Sequence, residues 1–234
     1  MQTRCYGPSL PYTCNDHQLG TASLTLSDVV GRVGEAESLS LNSFTACEPD
    51  SERTESFMIR FSTDARQRWI NGAPQTDMLL SLVQFNTTRA LVINARLLGI
   101  ASEFMLPEAR SRMHRHVVDD AKMHGSIPLS LQPTYLQLTT SHHAWVDILP
   151  FPEMRDNILR RNEDSYDKKE LCRDLRGFQD VAKGLGGMII WGEAWDCRAW
   201  EVTESFASKW AWVIRDCFQL QESTQYWRSA RGEI

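Results

Sequence analysis

From Met78 to Met105 the apolar residues Leu79, Leu82, Val83, Phe85, Leu91, Ile93, Leu97, Leu98 and Ile100 recur mostly at three- and four-residue intervals. That is the spacing of one broad helix face, and it predicts a long, largely buried helix with Asp77 as its cap. Upstream, the run SERTESFMIRFSTDARQRW from Ser51 predicts one short helix or strand, stopped by Asn71-Gly72 and Pro74. Residues 1–50 are rich in Ser, Thr, Gly and Pro and hold no sustained period. They are expected to form a loosely structured N-terminal arm, with LTLSDVV as a short strand or partner-dependent segment.

Further along, residues 108–125 are polar and helix-like up to Gly125. Pro128 and Pro133 then force extended backbone, and YLQLT alternates as a strand or polyproline II segment does. Pro152 opens a helix over EMRDNILRR, and a second helix is expected over roughly 167–183, closed by Gly184 and Gly186. GMIIWG is the best strand candidate of the C-terminal half. Asp196 is expected to cap a last long helix whose stripe is Trp200, Phe206, Trp210, Val213, Ile214, Cys217 and Phe218. The sum is a mainly α fold: a single helical domain over 51–234 with minor β content, behind the arm at 1–50.

Composition changes this picture little. The chain has 234 residues, 42% of them hydrophobic and 24% charged, which suits one globular core. Its net charge of −5 supplies no global basic field, so nucleic acid would need a local basic patch. The six cysteines are scattered, without the spacing of a zinc site, and read as reduced thiols. No run approaches the roughly 18 apolar residues of a membrane span, and the N-terminus lacks an apolar signal core. A soluble, cytoplasmic protein without a metal or cofactor is therefore expected.

Four constellations carry candidate chemistry. Asp167, Glu170 and Asp174 fall at i, i+3 and i+7, one helix face, where like charges need a positive partner or a shared proton once water is excluded. Solvated helix surface is the alternative. In WGEAWDCRAWEVTE, Trp191, Trp195 and Trp200 alternate with Glu193, Asp196, Glu201 and Glu204, and Trp191, Glu193, Trp195 and Asp196 are the candidates for binding substrate. An indole face beside a carboxylate fork suits a guanidinium, and core tryptophans beside surface acids are the alternative. A histidine of the His142-His143 pair, with Asp147 as orienting partner, suits a general base, and His143 and Asp147 are the residues carried as candidates. Arg155, Arg160, Arg161, Lys168, Lys169, Arg173 and Arg176 cluster around Tyr166 and form a local patch able to dock a phosphate backbone, with ordinary solvated helix surface as the alternative. Cys172 sits among carboxylates that disfavour its thiolate, and no P-loop, GxSxG or GxGxxG is present.

The ordered runs LVQFNTTRALVINARLLGI, IPLSLQPTYLQLTTSHHAWVDILPFPEMRDNIL, ELCRDL and MIIWGEAWDCRAWEVTESFASKWAWVIRDCFQLQESTQYWRSARGE resemble, over roughly 78–233, a fungal domain of unknown function often found C-terminal to basic leucine zippers. Residues 1–77 hold no basic region and no zipper heptads, so DNA binding is not expected. The chain also resembles, within that family, the fungal arginine-containing cyclodipeptide synthases. That resemblance implies condensation of arginyl-tRNA with a second aminoacyl-tRNA to a cyclo-arginine-Xaa diketopiperazine. The motif associated with that activity is Asp-Asp-x-x-Glu. Asp167-Lys-Lys-Glu170 matches its second part with Tyr166 in place of the first Asp, whereas Asp119-Asp120 matches its first part with Met123 in place of Glu. The resemblance thus implies catalytic roles for Asp167, Glu170 and Asp174. A non-enzymatic regulatory or ligand-sensing module related to zipper transcription factors is the competing expectation.

Overall fold

Ser51 opens the first long helix of the computed structural model, which describes residues 40–72, 76–113, 127–178 and 186–233. Its Oγ accepts from the Thr54 N–H at 3.1 Å, and helix α1 runs Glu52–Ile70. The pattern at 51–69 predicted something shorter. Only Phe57, Met58 and the half-buried Phe61 of α1 reach the core, which is why the apolar period is thin while the helix is long. Helix α2, Thr76–Leu97, runs through the middle of the core, and Asp77 lies inside its first turn instead of ahead of it.

Phe44, Phe57, Phe61 and Phe85 form an aromatic nest between these elements, with Phe61 and Phe85 stacked at 4.1 Å. Residues 40–50, expected in the arm, belong to this core: Phe44 is wholly buried and Arg96 Nε donates to the Pro49 carbonyl at 2.7 Å. The described residues all fall within one unit, Leu39–Ile234. The rest of the arm, LTLSDVV included, and the polar stretch 114–126 with Asp119-Asp120 lie outside the described residues.

YLQLT is a helix, α3, Tyr135–Thr139, and not an extended segment. Thr134 and Gln137 close a reciprocal capping box, at 3.2 Å and 3.0 Å, so the T-x-x-Q spacing outweighs the alternation. Helix α4, Pro152–Leu159, begins at Pro152 as expected. Helix α5 covers Lys168–Leu175 and stops well short of the expected 183. Gly177, at φ 82°, closes it: its N–H bonds to Asp174 O and the Phe178 N–H to Arg173 O, the two bonds of a Schellman cap.

The strand at GMIIWG is β1, Met188–Ile190, paired antiparallel with β2, Trp200–Val202, so that Ile189 faces Glu201 across the ladder. The single long helix expected after Asp196 is therefore broken into β2, α6 (Glu204–Lys209) and α7 (Phe218–Ala230). Two hydrogen bonds explain the break. Thr203 Oγ1 accepts from the Phe206 N–H as the cap of α6 and donates to Gly187 O, which ties the start of that helix to β1. Asp216, at φ 59°, turns the chain into α7. Among the described residues there are seven α-helices, this two-stranded sheet, and no helix long and apolar enough to cross a membrane.

Gly187 is where β1 meets the end of α5. It has φ +80°, and a Cβ there would lie 2.4 Å from Gly177 N and 2.6 Å from Asp174 O. Gly187→Ala is expected to lower stability by about 2 kcal/mol or more, combining a left-handed backbone with a backbone clash. Gly99→Ala, at φ +65° but with nothing within 4 Å, should cost only about 1 kcal/mol. Urea midpoints of the two variants check the difference, and equal losses would contradict it.

Candidate functional site

The acidic face of α5 is divided among three tasks. Asp167 is the N-cap: one carboxylate oxygen accepts from Lys169 N at 2.8 Å and Glu170 N at 3.0 Å. That oxygen's charge is directed at the helix terminus. Glu170 and Asp174 share a cation that the sequence pattern did not single out, Lys209 at the end of α6, at 2.6 Å and 2.7 Å. Asp174 is buried and also accepts from Trp210 Nε1 at 2.8 Å, whereas Glu170 is half exposed. The hydrogen bond to Asp174, then that to Glu170, raises the Lys209 pKa, so the group is a firm ammonium. The repulsion between two acids a turn apart is met by this shared partner.

The aromatic and acidic run is also already partnered. Asp196 accepts the Arg198 backbone N–H and a two-point contact from its guanidinium, at 3.0 Å and 2.9 Å, and the Arg198 hydrogen bond lowers its pKa. Glu193 faces solvent. Trp195 packs half-buried against the core, while Trp191 is exposed and stacks with Trp227 at 5.3 Å. The carboxylate that does face an indole and a guanidinium is Glu201 of β2, 2% exposed, which takes Trp191 Nε1 at 2.9 Å and Arg231 at 2.6 Å and 2.7 Å.

His142, and not His143, partners Asp147. His143 Nδ1 accepts from the Trp145 N–H at 3.1 Å and its other nitrogen meets Leu106 O, so it shapes a turn. His142 Nε2 lies 2.8 Å from Asp147 Oδ1 and Nδ1 lies 2.6 Å from Thr140 O. A carbonyl and a carboxylate both accept, so this setting favours the imidazolium, in which both nitrogens donate. Burial opposes that charge, but the Asp147 hydrogen bond and its negative charge together outweigh it and raise the His142 pKa. Asp147 also accepts from Ser111 Oγ at 2.5 Å and Gln137 Nε2 at 2.6 Å, which completes a network whose four members are all buried.

The basic cluster separates into buried and exposed members. Arg155 is 0% exposed: its guanidinium donates to the carbonyls of Ser130, Leu149 and Gln132, each at 2.8 Å, and burial lowers its pKa to about 10. Arg176 is also buried and donates to Phe44 O and Cys172 O. Both guanidiniums are thus turned to backbone carbonyls inside the protein. Lys168 is paired with Glu163, and Arg161 lies over Trp212 at 4.3 Å. Arg160, Arg161, Lys169 and Arg173 are the exposed members of the patch. Burial pushes the thiols up, Cys172 included, to about 11 at Cys197 and about 12 at Cys217, so these three offer no ready thiolate. No group of three His, Cys, Asp or Glu side chains among the described residues is placed to hold a metal ion.

Residues 111–221 match the model of a family described as a domain of unknown function, DUF3425. This is consistent with the domain that the motif string resembles, over a shorter span than 78–233. Its first residue is the Ser111 that bonds Asp147, and it includes Glu170, Asp174, Glu201 and Lys209 but not Arg231. No curated protein and no solved structure matches the chain. Periodicity missed Lys209, Gln137 and Arg231, since each meets its partner from another segment; Glu201 stood among the acids of the tryptophan-rich run but was not singled out from them. Only the Trp210 neighbouring Lys209 stood in a stripe that could have drawn notice.

The His142–Asp147 pair sets a pH dependence. Because the folded-state pKa of His142 lies above 6.5, its contribution to stability is fully present below that value and is lost as pH rises through the raised value. Urea unfolding across that window should show falling stability in the wild type and a flatter limb in His142→Gln. Parallel curves would contradict the assignment.

Proposed function

We propose that this protein is an aminoacyl-tRNA-dependent cyclodipeptide synthase, condensing arginyl-tRNA with a second aminoacyl-tRNA, with Glu170, Asp174 and Lys209 at the reacting centre. The observation that carries the reading is the ammonium held between a buried and a half-exposed carboxylate on an accessible face. The resemblance in overall build to the arginine-containing synthases, within the domain family that the motif string over 78–233 resembles, supports the substrate class.

The reaction needs no redox partner and no nucleotide, because both substrates are activated esters. The α-amine of one aminoacyl group attacks the ester carbonyl of the other; a C–N bond forms, the C–O bond to ribose breaks, and the amine proton passes to the departing ribose oxygen. The amine of the resulting dipeptidyl ester then closes on the remaining ester and releases the second tRNA. Glu170, with one side open to solvent, takes and returns the proton. Lys209, a firm cation, stabilises the negative charge that develops on the carbonyl oxygen, and Asp174, fixed by Trp210, holds Lys209 in place. The exposed Arg160, Arg161, Lys169 and Arg173, on or near the same helix, meet the tRNA backbone.

A regulatory or ligand-sensing module is the second reading, and one observation favours it: Asp167, Asp174, Asp196 and Glu201 each already have an internal partner. Incubating the protein with tRNA, synthetases and amino acids, followed by mass spectrometry, separates the two. Cyclo-arginine dipeptides that vanish on RNase treatment are expected from the wild type. Glu170→Gln should lose about 10²-fold or more in turnover while keeping its circular dichroism. A folded wild type that makes no product sinks the synthase reading.

A further inference from the structure

The buried carboxylate of Glu201 is recognised on three sides. Trp191 Nε1 donates to Oε2 at 2.9 Å, Arg231 Nη1 donates to Oε2 at 2.6 Å, and Arg231 Nη2 donates to Oε1 at 2.7 Å. The same guanidinium lies 5.1 Å from the centre of the Trp191 ring, which is itself stacked with Trp227, and Tyr226 meets Trp227 edge-on at 5.1 Å. A two-point carboxylate fork, an indole face and an indole N–H that orients the carboxylate together select a planar guanidinium over an ammonium.

The two halves of this arrangement are anchored differently. Glu201 is fixed in β2, against Ile189 of β1, and is 2% exposed. Its occupant is on the surface: the Arg231 side chain is 30% exposed, Trp191 is 43% exposed, and Arg231 belongs to the turn that ends α7, where Gly232 adopts φ 73°. That turn carries a carboxylate of its own. Glu233, exposed at the surface, accepts from Arg231 Nε at 2.8 Å and Nη2 at 2.9 Å. If Arg231 swings out it keeps a carboxylate partner, whereas Glu201 stays buried with only the more distant Arg228 Nε, at 3.8 Å, as a cation. Opening is therefore tied to replacement of one guanidinium by another.

We propose that Glu201, Trp191 and Trp227 form a binding site for the guanidinium of an arginine-bearing small molecule, with Arg231 as the intramolecular occupant that this ligand displaces. The binding chemistry follows from the corner itself; the identity of the ligand as an arginyl ester rests on the synthase reading. Glu193 and Asp196, the acids first expected to read the guanidinium, are respectively exposed and occupied by Arg198, and Glu201 takes that task.

Tryptophan fluorescence titrations of the full chain, without tRNA, test this with agmatine, L-arginine, L-arginine methyl ester and L-lysine methyl ester. A site that is mostly occupied internally has its apparent affinity reduced by the fraction open, so Arg231→Ala should bind agmatine about tenfold tighter or more than the wild type. Arg231→Lys, which keeps the charge but not the fork, should fall between them, and it keeps the test open should the alanine variant fail to fold. Lysine methyl ester should bind at least about tenfold more weakly than arginine methyl ester. Tighter binding of the arginine ester than of arginine itself would assign the site to an aminoacyl ester, and equal binding to the free amino acid. Folded Arg231 variants that bind agmatine no better than the wild type, or that take lysine ester equally well, would overturn the proposal. Because no product is measured, that failure is separate from a failure of the synthase reading.

Discussion

Buried irregular backbone has to find hydrogen-bond partners, and in this protein α2 provides many of them. Gln84, Thr87 and Asn94 lie along one side of that helix. They donate to the carbonyls of Gly177 at 2.9 Å, Met188 at 2.7 Å, and both Ile148 and Ala194, at 3.0 Å and 3.1 Å. Those carbonyls belong to the cap of α5, to β1 and to two loops, the segments that carry the candidate residues. Arg155 does the same from α4 for three more carbonyls. The strands are three residues long and several connections are single 3₁₀ turns, so these side chains, more than ladders of backbone bonds, hold the loops in register.

The same economy governs charge. Lys209 answers two acids, Arg198 answers Asp196, Arg231 answers Glu201, and His142 answers Asp147. In three of these four sets a carboxylate is nearly inaccessible, at Asp174, Glu201 and Asp147, where an unpartnered charge would be strongly unfavourable. The sets differ in what they leave open. The members of the histidine network are buried, whereas the faces at Lys209 and at Trp191 are open to solvent.

Helices with their own start and stop chemistry were legible in the chain. The apolar period of α2, Pro152 at the start of α4, and the mainly helical class all follow from local spacing and capping. Two local signals were present but outranked. The Thr134-x-x-Gln137 capping box was hidden by an alternating pattern, and Gly177 was passed over as a stop in favour of the later glycines. At the sites, the types of chemistry were legible: carboxylates in need of a cation, and an indole beside an acid suited to a guanidinium.

By itself the sequence determined the helical class, the strand at Met188–Ile190 and the residue types that meet at each site, because helix period, capping and side-chain chemistry act over a few residues. Only the tertiary structure decided which carboxylate meets which cation, which of two adjacent histidines faces Asp147, and that Trp200–Val202 is a strand. Those outcomes depend on contacts between segments far apart in the chain, as between Glu170 and Lys209 or Gly187 and Thr203, and no local spacing encodes them.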